Sequence, residues 1–301
     1  MFSLDQILPR PLPPIHVVDV GASDLPGCPP VYQPLMEKGV ARITGFEPVE
    51  EECRKLNAAG DSVHNYLPYA VGNGRPGTFR QCNFPATSSL FEPNRVLLDR
   101  FQNLGEVTRV VREFSIETHR LDDIPELAAV DYIKLDVQGA ECDVIEGAAR
   151  TLASTLVVHT EVEFVPLYIG QPLFAEVDQA LRRKGFCFHR FAGLAGRTFK
   201  PMITRNDPNA LLSQMLWADA VYVRDWMRWE SLTAEQLLKV ALILHDVYAS
   251  FDICMIALAQ LDRRTGSALC GRYLQRLQGE AGPPPAIDSP SVRKRESGGG
   301  R

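Results

Sequence analysis

Residues 131–152 read DYIKLDVQGAECDVIEGAARTL, and this stretch decides the fold. The run YIKLDV is short and mainly apolar, as expected of a strand that is covered on both faces. After Gly139 the apolar residues recur at helical spacing, which indicates an amphipathic helix. A strand followed directly by a helix is typical of parallel sheets, because parallel strands need a crossover connection.

The same pattern occurs three more times along the chain: IHVVDV before VYQPLMEKG, RITGFE before EEECRKLNAAG, and TLVVHTEVEF before LFAEVDQALRRKG. Four such units predict a mainly parallel sheet with helices on both faces. Residues 72–121 interrupt the alternation with GNGRPGTFRQCNF and VTRVVREFSIETHRL, which resemble strands separated by turns. We expect this part to form an antiparallel extension that caps the mouth of a site.

Changes in composition divide the chain into segments. A further strand is predicted over residues 216–223, and a helical region follows because Thr233 is a suitable N-cap with Gln236 three positions later. The end of the chain is rich in Gly, Pro, Ser and charge, which predicts disorder. The expected segments are an N-terminal extension (1–14), the α/β domain (15–230), a helical extension (231–278) and a disordered tail (279–301).

The composition excludes several classes of function. The 301 residues include 37 acidic and 32 basic side chains, so the chain lacks the positive charge that nucleic acid binding requires. Seven scattered cysteines without zinc spacing favour a reducing, cytoplasmic location. The most apolar stretch, residues 237–261, is interrupted by charged side chains, so we expect no transmembrane segment.

A cofactor site is indicated where the first two strands end. Gly21 and Ala22 follow the first strand, where backbone must approach a ligand closely. Glu47 follows the second strand, 26 residues after Gly21, near the spacing at which a carboxylate binds ribose hydroxyls. A nicotinamide cofactor fits the same layout. However, GASDLPG lacks the three-glycine pattern of a pyrophosphate cradle, which favours a cofactor without pyrophosphate.

The quoted stretch and several shorter motifs resemble the FkbM methyltransferase family. The family's hallmark is a Leu-Asp-Asp turn, then a strand reading roughly IKxDxxGxE, and a helix with a Gly-Ala pair. The matching elements occur in the same order over residues 17–189: VVDVGA, GFEP, AVG at 70–72, SSL at 88–90, LDD at 121–123, IKLDVQGAE at 133–141, Gly147-Ala148 and Glu161.

This resemblance implies an α/β fold: a Rossmann-like class I methyltransferase with a mainly parallel seven-stranded sheet, to which this chain adds its helical extension. It implies S-adenosylmethionine as cofactor and methyl transfer to a hydroxyl oxygen, often on a sugar or natural product. By position, the cofactor residues are Asp19, Gly21 and Ala22 at the methionine moiety, Glu47 with Pro48 at the ribose, Ala70 and Val71 beside the adenine, and Ser23. The first loop departs from the family's usual GANxG, because Ser23 is followed by Asp-Leu-Pro-Gly.

Four residues are candidates for binding and deprotonating the acceptor, because an alcohol needs a base within hydrogen-bond reach. Asp136 stands at a strand end, Glu141 in the next helical turn, and His159 and Glu161 are two apart on the following strand, hence on one face. Three of the four also have another interpretation: Asp136 as a cofactor-positioning group, Glu141 as a helix N-terminal carboxylate, and His159 as a core histidine.

Three assignments remain open at this stage. Ser88 and Ser89 are expected in a substrate-side loop, with a plain turn as the alternative. Lys134 and Gln138 are interpreted as structural. Carboxylates can bind Mg²⁺, but their spacing here is not diagnostic, so no metal is assigned.

The leading hypothesis is an O-methyltransferase acting on a small-molecule or glycan acceptor. The alternatives are an inactive scaffold and a nicotinamide-dependent oxidoreductase. The helical extension, residues 231–278, is the expected surface for a homo-oligomer or protein partner.

Overall fold

The computed structural model describes residues 2–22, 29–59 and 63–279. Its strands are β1 (Ile15–Val20), β2 (Ala41–Phe46), β3 (His64–Leu67), β4 (Ala70–Val71), β5 (Gly77–Cys82), β6 (Val110–Ile116), β7 (Thr118–His119), β8 (Tyr132–Leu135), β9 (Val157–Glu163), β10 (Phe186–Gly196) and β11 (Met215–Arg224). Its helices are α1 (Gln33–Glu37), α2 (Glu50–Ala59), α3 (Arg95–Leu98), α4 (Leu104–Val107), α5 (Glu141–Glu146), α6 (Ala149–Ser154), α7 (Phe174–Arg183), α8 (Ala234–Leu242), α9 (Phe251–Thr265) and α10 (Leu269–Gly279).

Seven strands form the central sheet in the order β10-β11-β9-β8-β1-β2-β3. β11 runs antiparallel to β9 and β10, and the other neighbours are parallel. Helices cover both faces, so the predicted class I methyltransferase fold is confirmed, as is the terminal strand expected over residues 216–223.

The register aligns the ends of the three central strands. Val20 of β1 lies opposite Phe46 of β2 on one side and Leu135 of β8 on the other. Because neighbouring strands lie about 4.8 Å apart, the residues that follow these three strands emerge side by side. The chain therefore brings Gly21, Glu47 and Asp136 to one edge of the sheet.

The C-terminal helices share a core with the sheet. Their apolar side chains, such as Val240 and Leu258, pack with Val17 of β1 and Val221 of β11 in one buried cluster. Thr233 and Gln236 form the capping box expected at the start of α8. Three helices, with a π-helical segment (Ile243–Val247) after α8, form the predicted helical region.

Two smaller sheets interrupt the alternation, as the sequence predicts. β5 and β6 form an antiparallel pair, and β4 pairs with β7 in parallel. No helix in the described part of the chain is long and apolar enough to cross a membrane. The predicted tail lies outside the described residues from position 280 onward.

Candidate active site

A cavity of about 470 Å³ opens at the carboxyl ends of β1, β2 and β8. This is the edge at which doubly wound sheets bind ligands, and the volume lies within the range of small-molecule sites, about 300–1,000 Å³. Its walls come from the strand ends, from α2, from β4, and from β5 with the loop that follows it. Eight of the predicted site residues line it: Gly21, Ala22, Glu47, Pro48, Ala70, Val71, Ser88 and Asp136.

Gly21 lies at the floor of the cavity, at a position with no room for a side chain. Its φ of +86° lies in the left-handed region, and a Cβ at this position would overlap with the carbonyl oxygen of Asp136. The Asp136 N–H donates to the carbonyl of Val20 at 3.0 Å, which holds the two strand ends together. Gly21 therefore occupies a position with no room for a side chain, and its approach to a ligand stays a prediction. Ser23 lies outside the described residues.

Glu47 lines the cavity from the end of β2. Its Oε1 accepts a hydrogen bond of 2.8 Å from the Val49 N–H, which fixes the carboxylate at the start of α2. Burial raises the pKa of Glu47 to about 7, and the nearby Glu52 carboxylate adds to the shift. Hydrogen bonds donated by the hydroxyl groups of a ligand would stabilise the ionised form of this carboxyl group.

Asp136 forms an ion pair with Lys134, which also forms one with Asp19. Lys134 Nζ lies 3.3 Å from Asp19 Oδ1 and 3.5 Å from Asp136 Oδ2. Burial alone would lower the pKa of Lys134, but the two carboxylates outweigh it and raise that pKa above its ordinary value. Asp19 is buried and accepts a hydrogen bond of 2.8 Å from the Tyr32 hydroxyl, so it supports the floor without lining the cavity.

Gln138 also lines the cavity and joins four parts of the site. Its Nε2 donates to Asp136 Oδ1 at 2.9 Å and to Glu161 Oε2 at 2.5 Å. Its Oε1 accepts from the Tyr168 hydroxyl at 2.8 Å, and its carbonyl accepts from the Ser89 hydroxyl at 2.6 Å. Its φ is +54°, an uncommon value for a residue other than glycine.

The two serines predicted at the substrate side differ in position. Ser88 lines the cavity, and its Oγ accepts from the Cys82 N–H at 3.0 Å. Ser89 is buried and uses its hydroxyl to accept from the Phe91 N–H as well as to donate to Gln138. Of the two serines, Ser88 is therefore the one on the cavity wall, and its contact with a substrate stays a prediction.

Glu141 and Glu161 lie behind the cavity wall. Glu141 accepts hydrogen bonds from the N–H groups of Val137 and Gly139 at 3.0 and 3.3 Å, the helix N-terminal geometry named as its alternative. Burial raises its pKa to about 7. Burial also raises the pKa of Glu161, and the Asp136 and Glu163 carboxylates add to that shift. Neither residue is among those that line the cavity, so their catalytic roles stay predictions.

His159 lies deeper along β9 than Glu161. Two residues of a strand span about 6.6 Å, so His159 lies further from the sheet edge than Glu161 does. Its Nδ1 is 3.1 Å from the Tyr248 hydroxyl, and its Nε2 is 3.4 Å from Asp219 Oδ1. The imidazole is buried with these partners and does not line the cavity, an arrangement that fits the core-histidine alternative.

Sequence reasoning missed one wall of the cavity. This wall is a face of α2, and the spacing of its residues along a helix was a signal that could have revealed it. Most of the other lining residues missed are aromatic or come from β5 and the loop that follows it, and the rest lie at or just after the ends of β1, β2 and β8. The missed residues include Glu52, Lys55, Leu56 and Ala59 on α2, and Phe46, Tyr69, Phe79, Gln81, Pro85, Ala86 and Leu90 elsewhere.

No group of three or more His, Cys, Asp or Glu side chains within residues 2–22, 29–59 and 63–279 is arranged to hold a metal ion. Three carboxylates near the cavity, Asp136, Glu141 and Glu161, instead have an amide, a lysine or backbone N–H groups as partners.

Solved structures similar to this chain include a methyltransferase, a putative methyltransferase and a third protein in complex with SAM, all at a TM-score of 0.34. Magnesium protoporphyrin IX methyltransferase (ChlM) from Synechocystis PCC 6803 with bound SAM is 11% identical, with 71% of this chain and 72% of that one covered. A putative methyltransferase from Thermoplasma acidophilum is 9% identical over 71% and 69% of the two chains. LepI in complex with SAM is 9% identical over 74% and 47%.

The chain is also similar in sequence to a characterised enzyme and to a family of domains. It is 48% identical over 68 residues to the 2-O-methyltransferase NoeI of Sinorhizobium fredii (strain NBRC 101917 / NGR234). That match covers 21% of this chain and 28% of NoeI, so less than a third of the relative is aligned. The model of the methyltransferase FkbM domain matches residues 19–188, more than half of the chain, and the chain therefore belongs to the FkbM methyltransferase family.

Proposed function

We propose that this protein is an S-adenosylmethionine-dependent O-methyltransferase that acts on a hydroxyl group of a glycan or natural product. The observation that carries the proposal is the convergence of Gly21, Glu47 and Asp136 on one cavity at the carboxyl edge of the sheet. Membership of the FkbM family supports the reaction type. The activity for which NoeI is named, 2-O-methyl transfer, supports oxygen as the acceptor atom.

The cavity has the chemistry that this cofactor needs. Gly21 has no side chain, so a ligand can approach its backbone at a position where a Cβ would collide with the Asp136 carbonyl. Glu47 offers a carboxylate to the ribose hydroxyls, and Ala70 and Val71 offer an apolar surface to the adenine. When bound, S-adenosylmethionine supplies a methyl group on a positively charged sulfur. The remaining task of the protein is to hold the acceptor oxygen in line, which contributes roughly 7–11 kcal/mol in favourable systems.

Asp136 is the residue we assign as base. Its side chain is 37% exposed, and it lies on the cavity while Lys134 and Gln138 fix its orientation from two sides. A base must come within roughly 2.6–3.2 Å of the hydroxyl that it deprotonates, and a fixed carboxylate on the cavity wall meets that requirement. Ser88, on the opposing loop, is assigned to the acceptor side.

We also infer a cytoplasmic location. Six cysteines among the described residues are free thiols, which is typical of proteins in a reducing compartment.

Isothermal titration with S-adenosylmethionine and S-adenosylhomocysteine tests the proposal. We expect both to bind, and we expect Asp136→Asn to retain binding while losing methyl transfer to an acceptor found by screening extracts with labelled methyl donor. Asp123→Asn, on an exposed carboxylate of the Leu121–Asp123 turn, is the matched control. If neither ligand binds, the proposal is wrong. If Asp136→Asn retains full turnover, only the assignment of Asp136 as base is wrong.

A further inference from the structure

The loop between β10 and β11 exposes large apolar side chains. Phe199, Met202 and Ile203 are 47%, 57% and 52% exposed, although they lie within five consecutive residues. We refer to these three residues as the apolar tip. Clustered exposed apolar side chains of this size mark interaction surfaces more often than scattered ones do.

The apolar tip is held in place by the rest of the protein. The Lys200 N–H donates to the Arg100 carbonyl at 2.8 Å, and the Gln102 N–H donates to the Thr198 carbonyl at 2.9 Å. The Phe199 ring packs against Phe101 with ring centroids 4.3 Å apart. The exposure of the tip is therefore part of the folded structure.

The tip also has a local excess of positive charge. Residues 95–109 and 197–212 contain six basic and three acidic side chains, whereas the whole chain has more acidic than basic ones. Lys200 is paired with Glu106 at 2.7 Å. Arg100 and Arg205 are exposed, and neither makes an ion pair with any residue that the structure describes.

We propose that the apolar tip docks on an anionic lipid bilayer, with Met202 and Ile203 in the interfacial region and with Arg100 and Arg205 at the lipid phosphates. Apolar side chains beside unpaired basic ones are the combination that peripheral membrane binding uses. A second copy of the chain fits less well, because a symmetric contact would bring the same positive excess together from both sides. This inference is independent of the methyl-transfer proposal.

Co-sedimentation of the full chain with vesicles tests the inference. We expect binding to vesicles of phosphatidylcholine mixed with phosphatidylglycerol and much weaker binding to phosphatidylcholine alone. Met202→Asp and Ile203→Asp should abolish binding. Arg205→Gln should weaken it about fivefold, the equivalent of about 1 kcal/mol for one basic residue at an anionic surface.

Matched controls come from the other end of the sheet. Met227 is 62% exposed and the Arg228 side chain is 82% exposed, and both lie beyond β11 in the Trp226–Ser231 turn. Met227→Asp and Arg228→Gln should bind vesicles like the original protein, and circular dichroism should show that all variants are folded. Equal binding to both vesicle types, or equal loss in the Met202 and Met227 variants, would overturn the inference. The inference would also be overturned if the protein bound no vesicles and instead formed a dimer that Met202→Asp dissociates.

Discussion

Gln138 donates a hydrogen bond of 2.5 Å to Glu161, and the same amide nitrogen holds Asp136 at 2.9 Å. One neutral side chain thus separates two carboxylates that would otherwise face each other. It also accepts from Tyr168 at 2.8 Å, so its orientation is fixed from the opposite side. The amide therefore acts as a positioning group for the proposed base, although the sequence suggested only a structural role.

Replacing this amide by a carboxylate should impair turnover more than cofactor binding. Gln138→Glu removes the donor to Asp136 and Glu161 and places a third carboxyl group beside them. Because small misplacements in an active site can cost about 100-fold, we expect a loss of kcat on the order of 100-fold. Cofactor affinity measured by titration should change much less, since Gly21 and Glu47 are untouched.

The pH profile of the Gln138→Glu variant separates positioning from general loss of structure. A nearby like charge raises the pKa of a carboxylate, so the acid limb of the rate profile should move to higher pH. Gln179→Glu makes the same change on the exposed face of α7 and should leave rate and profile unchanged. If the acid limb of the rate profile does not shift in Gln138→Glu, Gln138 does not position Asp136 as proposed.

Cofactor affinity should rise with pH around neutrality because of Glu47. Burial, with the help of Glu52, raises the pKa of Glu47 to about 7 in the free protein. Ribose hydroxyls donate to the ionised form, so binding is favoured above that pKa and declines below it by up to about tenfold per pH unit. Titration with S-adenosylhomocysteine on either side of pH 7 measures this effect.

Glu47→Gln should remove this pH dependence and weaken binding by about 1.5–3 kcal/mol, the usual contribution of hydrogen bonds to charged groups. Glu50→Gln, on the exposed start of α2, should keep both the affinity and its pH dependence. A pH-dependent affinity that survives in Glu47→Gln would show that another group titrates.

The sequence predicted the centre of the site because its geometry follows from topology. Parallel strands end at one edge, so Gly21, Glu47 and Asp136 meet there whatever the loops between them do. A residue that directly follows a central strand is therefore predictable from strand patterns alone. Ala70 and Val71 were placed by the family resemblance, and they also line the cavity.

Other side chains depend on partners that no local pattern reveals. Gln138 contacts Glu161 and Tyr168, which are 23 and 30 residues away in sequence. Glu141 accepts from the N–H groups of Val137 and Gly139 in the turn before α5, and a strand-end pattern does not distinguish this arrangement from pointing into the cavity. His159 is placed by Tyr248, a residue that follows the π-helical segment of the C-terminal region.

Gly21→Ala should destabilise the fold and abolish cofactor binding. Both Gly21 and Gly39 have positive φ, +86° and +66°, so alanine costs about 1–2 kcal/mol of backbone strain at either position. A Cβ at Gly21 additionally collides with the Asp136 carbonyl, whereas a Cβ at Gly39 meets no atom within 4 Å. Urea denaturation should therefore show a larger loss for Gly21→Ala than for Gly39→Ala, and only the former should lose binding. Equal losses would mean that the close approach to Asp136 is relaxed at little cost.

Glu163 is the least satisfied carboxylate near the site. Its side chain is 1% exposed, and among the residues that the structure describes neither of its oxygens accepts a hydrogen bond. The Nε2 of the buried Gln171, whose amide interacts electrostatically with Glu163, is likewise without a hydrogen bond to the described residues. Burial raises the pKa of Glu163, and the Glu141 and Asp136 carboxylates add to the shift. Ionisation of this group therefore opposes folding at neutral pH.

Glu163→Gln should stabilise the protein in a pH-dependent manner. The folded pKa lies above the unfolded value of about 4.3, so the cost of the carboxyl group appears as pH rises above about 4.3 and grows until the folded pKa is reached. We expect the substitution to raise the free energy of unfolding at pH 7 by about 1–3 kcal/mol, a gain that disappears in acid. Glu126→Gln, on an exposed side chain, should have no such effect. Urea denaturation at several pH values measures the difference, and a destabilised Glu163→Gln variant would mean that the ionised carboxylate has a favourable partner in solution.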